Sequence, residues 1–301
     1  MTKSVQFGRR STADQVLAGI DLSGKRMVVT GCNAGLGLAT MNAFAANGAT
    51  VIGLARTIQA ATEACAQASP LCIPVACDLA DLESIAAAVR TIHGMPGTLD
   101  AIVANAGVAN LPSLDTRYGV EMHFLANHIG HFALINGLAD SLRDGTARVV
   151  IVSGNAGINL APLEGIMFDN LDGARFYEPS MFYGQSKLAN ALYARELSRR
   201  LGGRGITVNS VDPGAARTRL TQGYFARLFA KSAARAAATQ ALLAANPQAA
   251  GITGQYWSDC RISQGSPLLD DSVLARRLWD VSQEIVARAA PRDERSLQRA
   301  A

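Results

Sequence analysis

Short apolar runs, each closed by glycine or a polar residue and followed by a helical pattern, recur from residue 26 onward. This alternation limits the possible folds more than any other feature of the chain. The runs are Arg26 to Thr30, Thr50 to Leu54, Cys72 to Ala76, Ala101 to Asn105, Arg148 to Ser153 and Thr207 to Asp212, with Gly254 to Trp257 as a short closing strand. Helices are predicted over Leu36 to Asn47, from Thr57, over Leu82 to Ile92, over about Val120 to Leu142 and over about Phe182 to Leu201. Strands that are apolar throughout, with helices between them, form a parallel sheet covered on both faces. The expected fold class is therefore α/β, doubly wound around a parallel sheet of about seven strands. No repeat and no linker divides the chain, so residues 1–301 read as a single domain, with a lead-in over 1–24 and a polar tail over 291–301.

Between the first run and the first helix stands Thr30-Gly31-Cys32-Asn33-Ala34-Gly35-Leu36-Gly37. Glycines at these places let backbone approach a pyrophosphate and let helix pack on strand, while the helix start offers unpaired N–H groups and the positive end of a dipole. Ligands of open parallel sheets lie at the carboxyl ends of the strands. Two segments that follow strand ends and break the rhythm, 154–180 and 214–250, are read as walls of a substrate site. They carry Leu160, Ile166, Met167, Phe225, Leu228 and Phe229.

Composition narrows the ligand classes. The net charge is +4, and no basic stripe is interleaved with aromatics, so no nucleic-acid partner is expected. Nothing approaches the 18 to 20 apolar residues of a membrane span, so no membrane partner is expected either. The five cysteines lack metal-ligand spacing and suit reduced, buried thiols, which points to the cytoplasm. His123, His128 and His131 are close in sequence, yet no carboxylate or cysteine completes a ligand set, and no metal is expected.

The Gly-x3-Gly-x-Gly spacing with Thr30 before it resembles the short-chain dehydrogenase/reductase family. The same resemblance extends, in order, to Asp78 after strand three, Asn105-Ala106-Gly107 closing strand four, Tyr183-x3-Lys187, and Pro213-Gly214 with Thr218. Ser186-Lys187-Leu188-Ala189-Asn190, Asn127-His128-Ile129-Gly130-His131-Phe132 and Gly254 to Cys260 resemble its retinol-dehydrogenase-like branch, whose substrates are often bulky apolar alcohols and carbonyls. The resemblance implies a Rossmann domain and a cofactor site built from Thr30, Gly31, Asn33, Ala34, Gly35, Leu36, Gly37, Asp78, Leu79, Asn105, Ala106, Gly107, Tyr183, Lys187, Pro213, Gly214 and Thr218. It also implies a homodimer or homotetramer assembled through the helices that carry Asn127 and Tyr183. At the end of strand two, Ala55 stands where an NAD-binding member would carry a carboxylate, and Arg56 follows. A guanidinium takes a 2′-phosphate bidentately, so NADP(H) is expected over NAD(H).

Tyr183 and Lys187, four apart on a helix, share a face, and an ammonium beside a phenol favours the phenolate. The resemblance makes Tyr183 the proton donor in carbonyl reduction and acceptor in alcohol oxidation, Lys187 a holder of the nicotinamide ribose, and Asn127 the holder of a relay water. Strand five departs from the family, which ends it Val-Ser-Ser; here Val152-Ser153-Gly154-Asn155 puts Gly154 at the catalytic serine position. Loss of one preorganised donor costs about 2.7 to 4 kcal/mol of transition-state stabilisation. Ser153 is taken as the replacement hydroxyl, with the Asn155 amide as the alternative donor. Two functions follow: an NADP(H)-dependent oxidoreductase acting on an apolar ketone or aldehyde and its alcohol, or a dinucleotide-binding sensor or scaffold with weakened catalysis.

Overall fold

The computed structural model describes residues 7–215 and 231–289. One eight-stranded sheet organises them. Its strands are β1 (Arg26–Thr30), β2 (Thr50–Ala55), β3 (Cys72–Ala76), β4 (Ala101–Ala104), β5 (Arg148–Val152), β6 (Thr207–Asp212), β7 (Tyr256–Ser258) and β8 (Arg261–Ile262). The order across the sheet is β8-β7-β6-β5-β4-β1-β2-β3, and every pairing is parallel except that of the edge strand β8 with β7. Seven parallel strands match the expected number; β8 adds an antiparallel edge of two exposed residues.

Successive side chains of a strand point to opposite faces, and each strand of this sheet divides its apolar residues accordingly. Val28, Ile52, Ile102 and Val149 enter one core, while Met27, Val29, Val51, Val103 and Val150 enter the other. The helices are α1 (Ala13–Leu17), α2 (Gly35–Ala46), α3 (Ile58–Ala68), α4 (Leu82–His93), α5 (Gly130–Gly137), α6 (Pro179–Leu201), α7 (Ala238–Ala245) and α8 (Ser272–Ala289). The first core lies under α4, α5, α6 and α8, and the second under α1, α2, α3 and α7. Among the described residues no helix is long and apolar enough to cross a membrane.

The long helix expected over 120–142 is divided. A hairpin, Thr116–Arg117 with Val120–Glu121, leads into the helical turn Met122–Phe124, then into a π-helical turn Leu125–Ile129 that contains Asn127, and only then into α5. Helix α6 starts three residues before Phe182, with Pro179 in its first turn and the Glu178 carboxylate capping the Ser180 and Met181 N–H groups. Helix α8 lies along α5 and α6. Trp279 packs edge-on to Phe132 at 5.0 Å and against Tyr193 at 5.8 Å, the Arg200 guanidinium covers its ring at 3.9 Å, and Ser282 meets His128. The chain's own α8 therefore packs on the helices through which the resemblance implies subunit contacts.

The wall residues divide as well. Leu160 is partly exposed, whereas Ile166 and Met167 turn into the protein and are buried. Phe225, Leu228, Phe229 and Thr218 lie outside the described residues.

Candidate active site

The strand order turns back between β1 and β4, and the crevice opens at their carboxyl ends. Thr30 closes β1 and holds the crevice together. Its hydroxyl oxygen accepts from the Asn105 and Ala106 N–H groups, both at 2.9 Å, and donates to His131 Nε2 at 2.9 Å. His131 Nδ1 bonds the Asn127 carbonyl at 2.9 Å, which places the ring proton on Nδ1 and leaves Nε2 as acceptor. Burial depresses His131 to about 4, so the ring is neutral in this network. Asn105 Nδ2 donates to the Thr30 carbonyl at 2.9 Å, and Asn105 Oδ1 accepts from Gln240 on α7 at 3.2 Å.

Helix α2 begins at Gly35, one short turn after Thr30. Its cap residue, Ala34, makes no side-chain hydrogen bond, so the first N–H groups stay available to an anion. Gly37 lies so near the strand end that a Cβ there would sit 2.1 Å from the Gly31 carbonyl oxygen and 2.7 Å from Asn105 Nδ2. Arg56 is exposed at the end of β2, and Asp78 is half-buried after β3, its carboxylate accepting from the Ala80 N–H at 3.0 Å. Leu79 packs beneath α5, where its carbonyl would lie 2.2 Å from a Cβ on Gly130. A cradle open to backbone approach, an uncapped helix start and an exposed guanidinium fit a dinucleotide. At the other end of the crevice, the Pro213 carbonyl accepts from Lys231 at 3.0 Å, and Lys231 pairs with Asp259 at 2.6 Å, holding the Pro213-Gly214 turn.

Tyr183, Lys187 and Asn127 converge beside Gly107. Lys187 Nζ lies 5.6 Å from the centre of the Tyr183 ring, and a Cβ on Gly107 would sit 3.0 Å from Asn127 Oδ1 and 3.3 Å from Lys187 Nζ. The Asn127 amide is spent on structure. Its Oδ1 accepts from the Val108 N–H at 2.7 Å, and its Nδ2 donates to the Val108 carbonyl at 3.0 Å and to Ser186 Oγ at 2.9 Å. Its backbone carbonyl, in the π turn, accepts from His131 Nδ1.

The electrostatics reverse one expectation. Tyr183 is raised above the ordinary phenol value, first by burial and then by the carboxylate of Asp212, while burial lowers Lys187 to about 8. Burial and the Asp212 carboxylate both work against phenolate, so the neutral phenol is the resting form.

Ser153 also differs from its expected role. Its hydroxyl is buried and donates to the Lys187 carbonyl at 2.6 Å, tying β5 to α6, so its proton is not available to a substrate oxygen. The physical reason is the close approach of α6, whose Lys187 carbonyl takes the Ser153 proton. Gly154 adopts φ +145°, a conformation L side chains rarely take.

Three further groups stand at the site in roles that sequence reading did not assign. Gln240 stands out as the polar residue of the Ala-Leu run in α7, and Asp212 as the acid that ends an otherwise uncharged strand. The third is the fully buried pair Glu121–His123, joined at 2.7 Å, whose imidazole packs edge-on to Tyr183 at 5.9 Å. The three histidines thus face three different partners, Glu121, Ser282 and Thr30.

Residues 25–166 match the short chain dehydrogenase family. Human retinol dehydrogenase 14 is 34% identical over 296 residues, covering 88% of this chain and 87% of that protein. Among solved structures, an uncharacterized protein from Mycobacterium Paratuberculosis superposes with a TM-score of 0.75 at 29% identity, covering 88% of this chain and 94% of its own. A short chain dehydrogenase from Burkholderia cenocepacia, solved in complex with NADP, gives 0.64 at 26% identity, covering 79% and 98%.

Proposed function

The chain belongs to the short-chain dehydrogenase family, and from that premise we propose that it is an NADP(H)-dependent oxidoreductase interconverting an apolar ketone or aldehyde and its alcohol. The convergence of Tyr183, Lys187 and Asn127 at the crevice, next to an uncapped helix start, carries this reading. Exposed Arg56 and the absence of a carboxylate at Ala55 support NADP(H). When bound, the nicotinamide supplies or accepts the hydride at the substrate carbon.

The protein's own residues handle the proton. Tyr183, held as the neutral phenol, donates to the carbonyl oxygen as charge develops there, and in the reverse direction takes the alcohol proton. Lys187 limits the charge left on the phenolate and offers donors to ribose hydroxyls. Asn127 holds Val108 and Ser186, and Ser186 donates to the Tyr183 carbonyl at 2.7 Å, so the amide fixes where the phenol stands.

The test is titration with NADPH and NADH by fluorescence, followed by NADPH consumption at 340 nm with aromatic ketones, retinal and ketosteroids. Tyr183→Phe is expected to abolish turnover and leave NADPH binding nearly unchanged; an active Tyr183→Phe enzyme would remove Tyr183 as proton donor. Gly154, together with the committed hydroxyl of Ser153, is the observation that favours the sensor reading, and tight NADPH binding without turnover of any substrate would favour that alternative.

A further inference from the structure

Asp212 ends β6 only 4% exposed. One carboxylate oxygen accepts from the Gly214 N–H at 2.9 Å and the other from Ser258 Oγ at 3.4 Å. Each oxygen of a carboxylate accepts about twice, so half of this capacity is unspent. Among the described residues no cation pairs with it, and the nearby Lys231 is engaged by Asp259. A buried carboxylate without a cation is costly unless donors reach it. Its surroundings show where a donor would enter. Among the described residues, and leaving aside its chain neighbours, Asp212 Oδ1, at 3.7 Å, is the one atom within 4 Å of the point where a side chain on Gly154 would begin. The charge is also felt at the phenols of Tyr183 and Tyr256. Among the described residues, Lys187 and His123 also face Tyr183.

The geometry points to Asp212 as a specificity determinant: beside Gly154 its carboxylate accepts from a hydroxyl that the substrate carries next to the reacting carbon. This rests on the oxidoreductase reading and narrows its substrates to an apolar body bearing an α-hydroxy ketone or the corresponding vicinal diol. Where the family's serine offers a small neutral hydroxyl, this site offers an acceptor with charge. A glycine at 154 keeps the space open that a substrate hydroxyl needs. The hydrogen bond to Asp212 forms and breaks no covalent bond, and the proton and hydride of the reaction follow the course given above.

Calorimetric titration of the NADP+-saturated protein with three probes tests this: trans-1,2-dihydroxytetralin, its 2-O-methyl ether and 1-tetralol. The diol is expected to bind at least about tenfold more tightly than the other two, because the ether keeps the second oxygen but not its hydrogen. In Asp212→Asn, which preserves shape and the contact with the Gly214 N–H, that preference is expected to fall to within about threefold. Equal affinities in the unmodified protein, no binding of any probe, or a preference that survives Asp212→Asn in a variant that still binds NADP+ would overturn the proposal. The ether comparison needs no variant and decides the matter should Asp212→Asn not fold. NADPH formation recorded in the same samples separates the two claims. Selective binding without turnover would sink the oxidoreductase reading and leave the Asp212 assignment standing; turnover without selectivity would sink the assignment alone.

Discussion

At the scale of single residues, the site is held by polar groups with little tolerance for replacement. Thr30→Val keeps shape but leaves the N–H groups of Asn105 and Ala106 and the His131 lone pair without their partner. Orphaned buried groups cost about 1 to 3 kcal/mol each, so urea unfolding is expected to show a loss of at least about 2 kcal/mol; a loss below ~0.5 kcal/mol would mean that the loop relaxes. Lys187 makes a pH-dependent contribution. Burial lowers it from 10.5 to about 8 in the folded state. At neutral pH the ammonium is charged in both states, and its burial destabilises the fold by about 3 kcal/mol. Between about pH 8 and 10.5 the unfolded chain binds the proton that the folded protein has released, so stability rises with pH across that window. Lys187→Met is expected to be inactive, more stable at pH 7, and without that rise when unfolding is followed from pH 7 to 10.5.

At the scale of elements, glycines decide how closely helices approach strand ends. Gly37→Ala forces α2 away from the Gly31 carbonyl and Asn105, which costs about 1 to 3 kcal/mol in overpacking. NADPH affinity is expected to fall at least about tenfold in a fluorescence titration, and unchanged affinity would show that the cradle does not depend on this contact. The same scale shows what was legible in the sequence. β1 to β6 stand within one residue of their expected ends, and β1 to β5 are largely apolar runs, because strands buried on both faces leave that signature. The hairpin around Tyr118-Gly119 left none, since a Tyr at φ +59° takes a place for which Asn or Gly is the usual signal. Exposed two-residue β8 has no period to read. Helix α8 carries amphipathic spacing in Ala275, Leu278, Trp279, Ser282 and Ile285, but no motif of the site falls within it. Tyr183, Lys187 and the glycine turn were visible as motifs. The commitment of Ser153 to a backbone carbonyl and the approach of Asp212 to Gly154 depend on where side chains meet across strands, which spacing alone does not encode.

At the scale of the whole molecule, α8 changes what the protein requires of its surroundings. Its Trp279 enters the aromatic group of Phe132 and Tyr193, and its Ser282 accepts from His128 Nε2 at 2.8 Å while donating to the Leu278 carbonyl. The helix pair that carries the catalytic groups is thus covered from within one chain. A sedimentation run is expected to show a monomer at micromolar concentration, and a concentration-dependent dimer would mean that another face associates. A surface covered intramolecularly is insulated from mass action. Specific activity and melting temperature should then stay constant on dilution to nanomolar protein, so each copy reaches its working form regardless of how many others have been made.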